Sequence, residues 1–78
     1  MRILFFAHLK DLTGCSETEL PLHDVDASEL WRHLLARHPG LARVQPQVRL
    51  ARNCAFADAT TRFAANDEIA LIPPVSGG

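Results

Sequence analysis

Apolar residues open and close this chain in two nearly continuous runs, Ile3-Leu4-Phe5-Phe6-Ala7 with Leu9, and Ile69-Ala70-Leu71-Ile72. Runs without polar alternation predict strands covered on both faces, and so the middle of a sheet. The first strand is expected over Ile3–Leu9. Thr13-Gly14 breaks the chain before Glu17–Leu22, where Thr18, Leu20 and Leu22 alternate with Glu17 and Glu19 until Pro21 interferes. That stretch reads as a shorter edge strand, paired with the first as a hairpin.

Between the two runs lies the best-marked element. Asp26 stands at an N-cap and Glu29 three residues on, the spacing of a capping box, with Val25 and Leu30 at the staple positions. Leu30, Trp31, Leu34, Leu35 and His38 then recur at helical spacing and present one apolar face, until Pro39-Gly40 stops the helix. Trp31 is expected to pack against the core or the helix flank.

The second half is patterned less sharply. Leu41–Val48 has room for a further helical turn before Pro46. Val48, Leu50 and Arg52-Asn53 suggest a strand, Cys54–Phe56 a short continuation, and Asn66-Asp67 a turn into Glu68–Ile72. The expected order is strand, strand, helix, strand or hairpin, strand. One helix covers one sheet face, so part of the opposite apolar face is expected to stay open until a partner covers it.

Composition narrows the possible activities. With 78 residues, 47% apolar and 22% charged, the chain has room for one domain with a modest core and is too apolar for disorder. A formal net charge of -1, without any Lys/Arg block, leaves no electrostatic footprint for nucleic acid. No apolar stretch approaches the roughly 20 residues that span a bilayer, and the opening run lacks the h-region and cleavage pattern of a signal peptide. A cytoplasmic location without membrane partners is the expectation. Cys15 and Cys54 are isolated and expected as free thiols. His8, His23, His33 and His38 are scattered, with no nucleophile and carboxylate grouped around any of them. Asp24, Asp26 and Glu29 suit turn and helix-start chemistry better than metal ligation.

Chemistry is concentrated at the end, in Pro73-Pro74-Val75-Ser76-Gly77-Gly78. Glycines lack a Cβ, so such a segment passes through channels too narrow for other residues and brings its backbone close to another protein's groups. The two prolines favour extended geometry upstream. Six residues at roughly 3.3 to 3.6 Å each reach about 20 Å, enough to enter a neighbour's active site. Small residues at a terminus are also what a frayed end leaves. Division into a domain over 1–72 and a functional tail over 73–78 is expected.

Three segments carry a family resemblance: Ile3–Ala7 with Leu9 and Leu12-Thr13-Gly14; the helix around Leu30-Trp31-Arg32-His33-Leu34; and Asn66 through Gly78. Together they resemble the ubiquitin-like β-grasp proteins, and within them the MoaD/ThiS sulfur carriers, most of all the small subunits of molybdopterin synthases. The resemblance implies an α+β fold: a mixed sheet of about four to five strands, one main helix on one face, and an extended C-terminal tail. It further implies that Gly78 is the reacting residue. A terminal carboxylate is an anion at neutral pH and a poor electrophile. In the family an E1-like enzyme uses MgATP to adenylate it, a persulfide donor displaces AMP to give a thiocarboxylate, and the sulfur passes to cyclic pyranopterin monophosphate on a large subunit.

On this pattern Gly77 and Ser76 thread into the partner, and Pro74 and Val75 dock against it. Phe6 joins them if its side chain faces the uncovered sheet surface, and otherwise it is core. Acid/base groups belong to the large subunit, so this chain is a non-catalytic sulfur donor holding no metal or nucleotide of its own. A carrier for thiamine or cysteine synthesis, a ubiquitin-like modifier conjugated to lysines, and a pure interaction module stay open beside it.

Overall fold

The computed structural model describes residues 1–73. Strands β1 (Arg2–Phe5), β2 (Glu17–Glu19), β4 (Arg49–Arg52), β5 (Ala55–Phe56) and β7 (Glu68–Ile72) form one sheet in the order β2-β1-β7-β4-β5. The two continuously apolar runs become β1 and β7, adjacent and parallel near the sheet's middle, with Ile3 opposite Ile69 and Phe5 opposite Leu71. The other pairings are antiparallel, so the sheet is mixed.

Helix α2 (Ala27–Arg37) crosses one face. Its capping box is complete: Asp26 Oδ1 accepts from the Glu29 N–H at 2.9 Å, and Glu29 Oε1 accepts from the Asp26 N–H at 3.5 Å. Leu30, Trp31 and Leu34 are buried against Ile3, Phe5, Leu50, Ile69 and Leu71 of the sheet, and Val25 joins the same core. Ile3, Leu30, Leu34, Ile69 and Leu71 have no exposed surface. His38 closes the helix, its N–H donating to the Leu34 carbonyl at 2.8 Å. The segment between His38 and Val48 forms two 3₁₀ turns, Pro39–Arg43 and Gln45–Gln47, the second with Pro46 inside it.

Two expectations need correction, and one pairing was not foreseen. The first strand does not run to Leu9. It ends at Phe5, Ala7 bends the chain at φ 52°, and His8–Thr13 forms a short helix, α1. Gly14 ends this helix in the left-handed region at φ 77°, donating its N–H to the Lys10 carbonyl at 2.8 Å, while Thr13 Oγ1 donates to the Leu9 carbonyl at 3.0 Å. Leu9 is therefore a helical core residue. A helix of six residues is too short for its period to emerge beside an apolar strand. Because α1 fills the connection, β1 and β2 pair antiparallel without a tight turn, and β2 stops at Glu19, short of Pro21.

The second correction concerns Cys54–Phe56, which folds back on β4 and does not continue it. Asn53 and Cys54 both take positive φ, 49° and 73°, the geometry that a two-residue turn needs to match the strand twist. Neither is glycine, so the usual signal for that turn is missing. Asn53 is held by its side chain: Oδ1 accepts from the Glu68 N–H at 2.9 Å and Nδ2 donates to Asp67 Oδ1 at 3.0 Å. Val25–Asp26 (β3) also pairs antiparallel with Arg62–Phe63 (β6), a ribbon that the pattern did not announce and that seats Phe63 in the core without exposed surface.

Candidate functional site

Alternation along β7 divides its side chains: Ile69 and Leu71 enter the core under α2, while Ala70 and Ile72 face the other way. Register extends that second face across the sheet. Leu4 of β1 lies opposite Ala70, Ala51 of β4 is paired with both Ala70 and Phe56 of β5, and Arg49 stands opposite Ile72. No helix of the described residues covers this side. Leu4, Phe6, Ala51, Phe56, Ala70 and Ile72 enclose a shallow, mainly apolar depression of about 300 Å³, which Cys54 and Glu68 also line. Phe6 is 44% exposed and Phe56 59%, a large outlay of aromatic surface in water for so small a domain.

Charge rims the depression. On the β2 side Arg2 pairs with Glu17 at 3.0 Å and Glu68 at 3.3 Å. On the β4 side the Arg49 guanidinium lies over the Phe56 ring, 3.8 Å from its centroid. At the start of β7, Asp67 Oδ2 accepts from the Ala64 N–H at 2.8 Å, and this bond, with that from Asn53, holds its carboxyl below the usual range. The strand that ends at Ile72 is thus fixed at its beginning. On the core side, His38 sets its ring edge-on to Phe5 at 5.5 Å, and burial, helped by Arg37, depresses its pKa. Its Nε2 is buried without a hydrogen-bond partner among the described residues.

Of the residues expected to act, Phe6 falls on the open face and not in the core. Pro74, Val75, Ser76, Gly77 and Gly78 lie outside the described residues. Pro73, the last described residue, directly follows Ile72 of the open face. Sequence reasoning missed Phe56 and Arg49, because only the fold-back of β5 brings Phe56 beneath Arg49. The expected open face was the available signal. Among the described residues no group of three or more His, Cys, Asp and Glu is placed to hold a metal, both cysteines are free, and no helix is long and apolar enough to cross a membrane.

The central parallel pair, the single long helix on one face and the open opposite face define a ubiquitin-like β-grasp protein. The ThiS family model matches residues 3–78, and the chain belongs to that family. It is 37% identical over 82 residues to the human molybdopterin synthase sulfur carrier subunit, covering all of this chain and 93% of that protein. In structure it resembles SAMP1 from Haloferax volcanii, with TM-score 0.86, 31% identity, and coverage of 100% of this chain and 98% of that one. The same fold occurs in a protein-protein complex of subunits 1 and 2 of the molybdopterin-converting factor from Helicobacter pylori, with TM-score 0.69, 24% identity, and coverage of 99% and 96%.

Proposed function

We propose that this chain is the sulfur-carrier subunit of a molybdopterin synthase, with Gly78 as the atom-transferring residue. The observation that carries the reading is the position of β7. It lies between β1 and β4, in the sheet's interior, and ends at Ile72 beside an uncovered apolar face, so the surface that could seat a partner adjoins the strand that leads into the Gly-Gly end of the sequence. Full-length likeness to a synthase sulfur carrier supports the same conclusion.

The Gly78 carboxylate is inert until its oxygen becomes a leaving group. An E1-like enzyme attacks the α-phosphate of MgATP with that carboxylate, releasing pyrophosphate and forming an acyl-adenylate. Sulfur from a persulfide donor adds to the Gly78 carbonyl carbon and expels AMP. Reduction of the resulting acyl disulfide by a thiol leaves the thiocarboxylate, an anionic and soft nucleophile. On the large subunit it delivers sulfur to cyclic pyranopterin monophosphate. Gly77 and Ser76 occupy the narrow approach, Pro74 and Val75 contact the partner, and Phe6 with Phe56 anchors the domain. MgATP belongs to the activating enzyme, and acid/base groups to the large subunit.

Intact-mass spectrometry after incubation with MgATP, a sulfur donor and the E1-like enzyme tests this. Replacement of one oxygen by sulfur at Gly78 is expected, followed by its loss on adding the large subunit with cyclic pyranopterin monophosphate. An unchanged mass across E1-like enzymes active on other carriers refutes it. The likeness to SAMP1, a small archaeal modifier protein, favours a second reading, conjugation of Gly78 to lysines, which isopeptide-linked adducts in cells would reveal.

A further inference from the structure

The charged side chains of the open face are unevenly satisfied. Arg2 has two carboxylates within 3.3 Å, and Glu19 beside it lies 3.9 Å from the Met1 ammonium. Arg49 has no carboxylate within 4.0 Å among the described residues. It rests on the Phe56 ring, opposite Ile72 and so beside the point where the chain leaves the sheet. The contact holds the guanidinium against the ring, and among the described residues its N–H groups make no hydrogen bond, so they stand ready for an acceptor. The weak hydration of the group makes its burial less costly than that of an ammonium.

A protein that covers Phe6, Phe56 and Ile72 must also cover Arg49. Without an acceptor it would strand a desolvated charge, a penalty that works against the apolar contact beneath it. We infer that Arg49 is a specificity-determining residue of the open face, selecting a synthase large subunit that presents a carboxylate opposite the β4 edge. Phe56 orients the guanidinium for a bidentate pair and is buried under it on docking. The acidic rim around Arg2 orients the same partner, because a basic group opposite β4 meets repulsion there and a favourable field only at the other rim. This rests on the sulfur-carrier reading.

Calorimetric titration of the full chain with its large subunit, at low and high salt, tests the inference. Arg49→Leu is expected to weaken binding at least about tenfold and to flatten its salt dependence, and Arg49→Glu to weaken it on the order of a hundredfold. Arg49→Lys keeps the salt dependence but binds more weakly than the parent, since an ammonium lacks the planar fork. Thermal unfolding of each variant shows that the fold is intact. If Arg49→Leu binds as the parent does, or binds more weakly with an unchanged salt dependence, Arg49 only shields Phe56 and the inference falls while the sulfur-carrier reading stands. If the parent chain itself does not bind the large subunit, both fall.

Discussion

Phe5 and Phe6 are neighbours in sequence with opposite duties, and truncating each to alanine separates fold from docking. Phe5 is 1% exposed and packs among Ile3, Leu71 and His38, so Phe5→Ala leaves a cavity and should cost about 3–5 kcal/mol. A chain of 78 residues has a total stability of about 4–12 kcal/mol at 0.05–0.15 kcal/mol per residue. At roughly 4–8 °C per kcal/mol, the melting temperature should fall by about 12 °C at the least. Phe6 is 44% exposed and hides little more than half of its surface. With about 1.5–3 kcal/mol for full burial, Phe6→Ala should cost only about 0.8–1.7 kcal/mol, and no cavity remains because water fills the space. Its effect should instead appear in binding. Loss of an aromatic anchor at the centre of an interface is worth about 2 kcal/mol or more, roughly a 30-fold weaker Kd for the large subunit. Thermal unfolding by circular dichroism gives the first quantity and calorimetric titration the second. Equal destabilisation by the two substitutions would refute the assignment of faces. A stable Phe6→Ala variant with unchanged Kd would refute the docking role of the open side.

Asp26→Ala removes the acceptor for the Glu29 N–H and should lower stability by about 1 kcal/mol, read as a shifted denaturant midpoint at constant slope. Deleting Gly78 should abolish sulfur loading in the mass assay, and Gly77→Val should block transfer to the large subunit. Both should leave the melting temperature nearly unchanged, because the last residues of a chain seldom carry its core and, among the described residues, the last core side chain is Leu71. His38 has a folded-state pKa below its unfolded value of about 6.5, so the unfolded chain binds the extra proton first. Stability should therefore hold above that pH and decline as pH falls through the window beneath it. His38→Asn should flatten that part of the stability profile, and a profile with the same slope in the variant would assign the effect to other groups.

Legibility followed the length and regularity of each element. The capping box at Asp26 and Glu29, the helix it begins and the central placement of the two apolar runs could all be read because each rule acts within a few residues. Helix α1 could not, since its Leu9 continues the apolar run of β1 and only the bend at Ala7 separates them. The β4–β5 turn was hidden because Asn53 and Cys54 take positive φ without a glycine, held there by bonds from Asn53 to the distant Asp67 and Glu68. The ribbon of β3 and β6 has two residues in each strand, too few for any period.

By itself the sequence determined the helix, the two central strands and a Gly-Gly end joined to the last of them, because capping, apolar continuity and the absence of Cβ atoms are local properties. It also required one sheet face to lack a helix. Which residues occupy that face was decided only by tertiary structure. Strand pairing sends Phe5 inward and leaves Phe6 exposed on the open side, folds Phe56 back under Arg49, and sets Arg49 opposite Ile72. Register is a relation between distant segments, and a shift of one residue would exchange core for surface along every strand.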